Sequence, residues 1–218
     1  MHPSELLVAK GLCQSYQHRL ILKGLDFTLA TGEIVTMLGR NGSGKTTLLK
    51  VLASLLKPIR GTLSTRGDYA GASLFLPDGF LYEDLTLREN LDLYARLCLT
   101  NAAWRADISE RLHLKDFIDN KVRNLSRGQK ARGALCRTFM QNAALYLLDE
   151  PFTGLDPTTM ERLAHLLAYL KSCGKTVLLA THHIDNVISI ADRWWQMENG
   201  RLSLVTDPES LIAEWKRQ

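Results

Sequence analysis

Eight consecutive residues, Gly39-Arg40-Asn41-Gly42-Ser43-Gly44-Lys45-Thr46, follow the spacing G-x-x-x-x-G-K-[ST]. That pattern suits the wrapping of a backbone around phosphate oxygens. Glycines remove the side chains that would hold the chain away, so successive N–H groups converge on an anion. The apolar run Ile34 to Leu38 precedes the loop and a helical pattern follows it. The positive N-terminal end of that helix then faces the same anion. Lys45 is expected to reach the β- and γ-phosphates and the Thr46 hydroxyl to ligand Mg²⁺, with Thr47 next to them in the phosphate-binding set. The competing explanation, a glycine-rich turn matching by chance, has odds on the order of one in a hundred at ordinary glycine usage.

A second group ends the apolar run Leu145-Tyr146-Leu147-Leu148, which is followed by Asp149-Glu150. Adjacent strand residues point to opposite faces, so the two carboxylates are expected to divide their labour. Asp149 is assigned to Mg²⁺, and Glu150 to orienting or deprotonating an attacking water. Standing alone, the pair is also consistent with a strand leaving the core through charged residues, about one time in three. His182 follows the apolar run Thr176 to Ala180. At the C-terminal end of a parallel strand, where ligands collect in such sheets, its imidazole is positioned to hydrogen-bond a γ-phosphate. His183 has no such claim and reads as surface or packing.

These residues fit several nucleotide hydrolases. Leu125-Ser126-Arg127-Gly128-Gln129 closely resembles the LSGGQ signature of ATP-binding cassette (ABC) ATPases, and the resemblance extends over about residues 6–204. It implies that Tyr16 stacks on adenine, that Thr153-Gly154-Leu155-Asp156 forms the D-loop, and that His182 is the switch histidine. It implies ATP and Mg²⁺ as ligands. It also implies a head-to-tail partner, a second copy or a similar cassette, whose ATP meets Ser126, Arg127, Gly128 and Gln129 in trans. The physics agrees, because Ser126 begins a helix whose N-terminus has no phosphate within its own subunit. The family resemblance further implies separate membrane-spanning subunits and a place on the cytoplasmic face of the membrane. Leu85-Thr86-Leu87-Arg88-Glu89-Asn90-Leu91 is most similar to export-type cassettes, and Glu150-Pro151-Phe152-Thr153 bears a more limited similarity to the haem-exporter cassette. A soluble single-cassette ATPase in the assembly of a cytosolic complex, such as iron–sulfur assembly, is the alternative.

Two positions depart from the family pattern. Arg127 stands where most members have glycine. Pro77-Asp78 stands where a glutamine normally contacts Mg²⁺ and the membrane partner, which makes Asp78 a candidate metal contact with an added charge.

The elements that must hold these residues are legible in outline. Strands are expected over Leu6–Ala9, Ile21–Leu29, Glu33–Leu38, Gly61–Thr65, Ser73–Leu76, Leu145–Leu148 and Thr176–Ala180. Helices are expected over Lys45–Leu56, in three segments of 86–141 (Leu87 to Leu97, Ile108 to Phe117 and a long one from near Ser126), and over Thr158–Ser172, Asp185–Ala191 and, after a short β piece, Asp207–Lys216. Strand–helix alternation builds a mostly parallel sheet covered on both faces. The fold class is α/β, a P-loop NTPase core with an N-terminal antiparallel β piece and a helical insertion at about 77–135, all in one domain spanning 1–218.

Composition narrows the partners. Twenty-seven Lys+Arg against 23 Asp+Glu leave +4, with no basic run or aromatic stripe of the kind nucleic acid selects. No secretion signal is expected in the first ten residues, and no apolar run approaches the length that spans a bilayer. Cys13, Cys98, Cys136 and Cys173 form no CxxC pair and are expected to be buried or half-buried free thiols.

Overall fold

The computed structural model describes residues 4–65, 69, 71–77, 80–182 and 184–215. Two sheets organise the chain. Strands β1 (Glu5–Tyr16), β2 (Arg19–Ala30) and β4 (Arg60–Thr65) form an antiparallel sheet in the order β2-β1-β4. Strands β3 (Ile34–Leu38), β5 (Ala72–Phe75), β6 (Leu145–Asp149), β7 (Thr176–Ala180), β8 (Arg193–Glu198) and β9 (Arg201–Val205) form the second, in the order β5-β6-β7-β3-β8-β9. Every pairing in the second sheet is parallel except β8 with β9.

Strands β3, β6 and β7 are buried at every position, as expected of parallel strands covered on both faces. Their side chains alternate between two cores. Ile34, Leu38, Tyr146, Leu148, Val177 and Leu179 join Leu135 and Phe139 of α4 (Arg127–Phe139) and Leu163 and Leu167 of α5 (Pro157–Ser172). Val35, Met37, Leu145, Leu147 and Leu178 instead join Leu48, Leu49 and Leu52 of α1 (Lys45–Leu52) and the inner face of the antiparallel sheet.

Between β5 and β6 lie α2 (Leu87–Leu97), α3 (Ala102–Arg111) and α4. Helices α2 and α4 begin with reciprocal capping boxes, Thr86 with Glu89 and Ser126 with Gln129, each satisfying two otherwise unpaired N–H groups. Asn101 caps α3, and Asp156 followed by Pro157 starts α5. Helix α6 (Pro208–Trp215) follows β9. Among the described residues no helix is long and apolar enough to cross a membrane.

Several expectations change. Strand β1 runs on to Tyr16, because register shifts between Ala9 and Leu12 absorb Gly11 without ending the ladder. Helix α1 stops at Leu52, and Ser54 turns into the left-handed region at φ 59°, leaving Leu55 exposed. The helix expected over Asp185–Ala191 reduces to one 3₁₀ turn at Ile184–Asn186. The short β piece expected near the end is a pair of strands, and the first of them, β8, carrying buried Trp194 and Trp195, pairs with β3 in the main sheet. Cys136 is buried, which pushes its thiol up to about 12, and Cys13 is half-buried, but Cys98 and Cys173 are exposed, contrary to expectation. His183, Asp78 and the end of the last expected helix at Lys216 lie outside the described residues.

The β8–β9 hairpin turns on Asn199 and Gly200, both at positive φ (49° and 79°), the two-residue geometry that matches strand twist. The turn is wedged under the phosphate loop. Gly200 N–H donates to the Ser43 carbonyl (3.1 Å), and the Gly200 carbonyl accepts from Lys23 N–H (2.9 Å). A methyl at Gly200 would collide with the Ile21 carbonyl. Gly200→Ala is therefore expected to lower stability by about 2–3 kcal/mol in urea unfolding, while Asn199→Gly, which relieves a left-handed side chain, costs nothing. Equal midpoints for Gly200→Ala and the unaltered chain would contradict this packing.

Candidate functional site

The phosphate loop leaves the centre of the sheet at the end of β3. Gly42 and Gly44 need their glycines, with φ at 79° and 113°. Gly39 needs its own for space, because a methyl there would collide with the Met197 carbonyl and fall 2.7 Å from Ser43 Oγ. Gly44 sits as N-cap of α1, whose first turn carries Lys45, Thr46 and Thr47. Arg40, Asn41 and Thr46 are exposed, and Thr47 is half-buried.

Lys45 is buried, and its Nζ donates to the Gly39 carbonyl (2.6 Å) and the Arg40 carbonyl (3.2 Å). Burial holds its pKa below the ordinary lysine value, opposed by the charges of Glu150 and Asp149. The Ser43 hydroxyl is buried with no hydrogen-bond partner among the described residues, an orphan at the centre of the loop. Phosphate oxygens are the acceptors that such a loop lacks, so the residues present fit an oxyanion.

Thr46 Oγ1 donates to Asp149 Oδ2 at 2.6 Å, joining α1 to the end of β6. Burial raises the Asp149 pKa; the Thr46 hydrogen bond and the charge of Lys45 work the other way. A threonine hydroxyl beside a carboxylate is an all-oxygen donor pair, which suits Mg²⁺ with further ligands from water and phosphate. Among the described residues no group of three His, Cys, Asp or Glu side chains gathers around a point.

Glu150 separates from Asp149 by a different route from the strand alternation expected. Strand β6 ends at Asp149, and Glu150 swings aside because its own backbone is left-handed (φ 49°). Its N–H donates to the Ala180 carbonyl at the end of β7 (2.8 Å). Its Oε2 accepts from the backbone N–H of His182 (3.2 Å) and lies 2.8 Å from His182 Nδ1. The imidazole expected to meet a phosphate thus has its Nδ1 side on the neighbouring carboxylate.

A cavity of about 900 Å³ lies against the loop from Gly39 to Ser43. Arg19, Leu20, Ile21 and Lys23 line one side, and the β8–β9 hairpin and Leu211 the other. Tyr16 stands at the end of β1, just before this wall, and is 70% exposed.

The remaining expected residues lie elsewhere. Arg127 lines a separate cavity of about 400 Å³ with Glu150 and Thr153. Ser126 Oγ accepts from Gln129 N–H (3.2 Å) and Gln129 Oε1 from Ser126 N–H (2.9 Å), so both side chains serve the cap of α4. Asp156 is likewise engaged, accepting from the N–H (2.9 Å) and hydroxyl (2.7 Å) of Thr159, which hold its carboxyl below the usual range. The supports from Met197 and Gly200 escaped the sequence reading. Their available signal was Asn199-Gly200, a hairpin dipeptide that nothing local connects to residue 43.

The family model described as "ABC transporter" matches residues 22–153, and one described as "AAA domain, putative AbiEii toxin, Type IV TA system" matches residues 121–189. The chain is 35% identical to Nod factor export ATP-binding protein I of Burkholderia orbicola (strain AU 1054), over 90% of this chain and 69% of that protein. It is 31% identical to the SkfA peptide export ATP-binding protein SkfE of Bacillus subtilis (strain 168), over 98% of this chain and 95% of that protein. Among solved structures, one described as the ATP binding subunit of an ABC transporter superposes with a TM-score of 0.85 at 26% identity, covering 97% of this chain and 99% of the other.

The orphaned Ser43 hydroxyl yields a test. Ser43→Ala removes a buried group that has no partner without ligand, so the unliganded melting temperature should hold or rise. The rise in melting temperature on adding ATP should shrink, because that ligand supplies the missing acceptor. A clear loss of unliganded stability would show that the hydroxyl is satisfied within the protein.

Proposed function

The chain belongs to the ABC transporter family of ATP-binding subunits, which are ATP hydrolases, and from that membership we propose that it works as one half of a head-to-tail pair driving separate membrane-spanning subunits. The observation that carries the catalytic part is the meeting of three strand ends. The Thr46–Asp149 and Glu150–His182 contacts bring β6 and β7 to the phosphate loop that leaves β3.

In this reading the loop from Gly39 to Thr47 binds the ATP phosphates, with Lys45 neutralising charge on the β- and γ-phosphates. Tyr16 stacks on the adenine. Thr46 and Asp149 hold Mg²⁺, which when bound supplies charge to the phosphate oxygens; Asp78, outside the described residues, remains a proposed contributor. Glu150 accepts a proton from water as that water's oxygen attacks the terminal phosphorus and ADP leaves. His182 fixes the orientation of the Glu150 carboxylate. The first turn of α4, from Ser126 through Arg127 and Gly128 to Gln129, faces the partner's ATP with its backbone N–H groups, and Asp156 lies in the adjoining D-loop.

The whole chain, 1–218, forms one cassette with its helical part at about 77–135. The second copy or a similar cassette completes each site. The membrane subunits handle the cargo, and the protein sits on the cytoplasmic membrane face through them. Export is proposed on the stretch Leu85 to Leu91 alone, since the similar proteins include both export and import subunits by name.

Lys45→Ala is expected to abolish ATP binding in calorimetry, and unchanged affinity would remove the phosphate-loop assignment. Glu150→Gln should bind ATP, lose turnover by at least about 100-fold and accumulate as a dimer in light scattering. A Glu150→Gln protein that stays monomeric at saturating ATP and Mg²⁺ would overturn the paired arrangement. Recovery of the native protein only in complexes lacking an integral membrane subunit would overturn the transport role.

A further inference from the structure

Arg127 is the first residue of α4, and its side chain lies on Gly154. A methyl group on Gly154 would fall 2.8 Å from Arg127 Nε and 3.3 Å from Cζ, so the contact exists because residue 154 has no side chain. A methyl on the adjacent Gly128 would lie 3.8 Å from the Gly154 carbonyl oxygen. The start of α4 therefore lies close to Gly154, with Arg127 in direct contact.

Gly154 is not an independent loop residue. Thr153 N–H donates to the Glu150 carbonyl (3.1 Å) and Leu155 N–H to the Phe152 carbonyl (3.2 Å), so the segment from Glu150 to Leu155 consists of two overlapping turns. Phe152 anchors them, fully buried in the core. The only left-handed residues in this segment are its first, Glu150 (φ 49°), and Gly154 (φ 79°). Gly154 is thus joined to the backbone of Glu150 by a short hydrogen-bonded turn. Arg127, Glu150 and Thr153 also line the same cavity.

We propose that Arg127 is a positioning residue, which through Gly154 couples the start of α4 to the orientation of Glu150 in the same subunit. The proposal rests on the ATPase reading above, in which α4 meets one ATP and Glu150 serves the other. Engagement of the partner's nucleotide by α4 is then felt at the subunit's own Glu150. Alanine or glycine at 127 lacks the stem that makes this contact.

The test is steady-state ATP turnover of Arg127→Ala, Arg127→Lys, Gly154→Ala and the Arg127→Ala/Gly154→Ala pair. Turnover by the unaltered chain is the control, and its absence is a failure of the function reading alone. Arg127→Ala should lower kcat about 3- to 10-fold with KM for ATP within about twofold and an unchanged melting temperature. Arg127→Lys should recover most of the loss, because a long stem still spans Gly154. Gly154→Ala should lower kcat too, and the double variant should be no worse than the poorer single, since both break one contact. If strain at φ 79° unfolds Gly154→Ala, the two Arg127 variants decide the matter. Unchanged kcat in Arg127→Ala overturns the proposal. So does a rise in KM alone, which would mean that the guanidinium reads nucleotide directly, or single losses that multiply in the double variant.

Discussion

The position of β3 between β7 and β8 is the constraint from which the rest of the site follows. In a parallel sheet all C-terminal ends emerge on one edge, and neighbouring strands deliver neighbouring ligands. With the order β5-β6-β7-β3-β8-β9, the loop after β3, the carboxylates at the end of β6 and the histidine after β7 arrive side by side. Complete burial of β3, β6 and β7 makes that order costly to change, because a slipped strand would exchange the side chains of two cores at once.

The second condition is backbone crowding around the loop. Gly39 lies against the Met197 carbonyl, and the Gly200 turn hydrogen-bonds to Ser43 from below. The loop's shape is thus fixed by contacts from the protein itself, which avoids ordering it at the moment of binding. That preorganisation has a cost. A lysine is desolvated, a serine hydroxyl is left without a partner, and a buried aspartate is pushed towards its neutral form. Such unfavourable terms at a functional site are relieved when a ligand supplies the missing charge and acceptors.

The signature segment is organised by the opposite logic. Its side chains are committed to local structure, Ser126 and Gln129 to the capping box and Arg127 to Gly154. What remains facing outward is the N-terminal end of a 13-residue helix. The phosphate loop gathers donors from a cramped interior, whereas this helix end offers them on an exposed surface that a second molecule can approach.

Much of the candidate site was legible in the chain itself. The glycine spacing of residues 39–46, the apolar strand before Asp149 and the Ser126–Gln129 capping pair are local patterns, set by backbone sterics and hydrogen bonding within a few residues. Strands such as Thr176–Ala180 were legible because an unbroken apolar run has few alternatives. Other features needed the folded molecule. Nothing adjacent to Arg193-Trp194-Trp195 says that it pairs with β3, and the helical pattern after Asp185 gave way to one 3₁₀ turn. Glu150 owes its direction to a left-handed backbone and a hydrogen bond from its N–H to Ala180, 30 residues away in sequence. Sequence determined which residues are candidates for phosphate chemistry, because that depends on residue type and short spacing. Tertiary structure alone decided that Gly200 supports Ser43, that His182 contacts Glu150 and that Arg127 meets Gly154, because each depends on how distant segments pack.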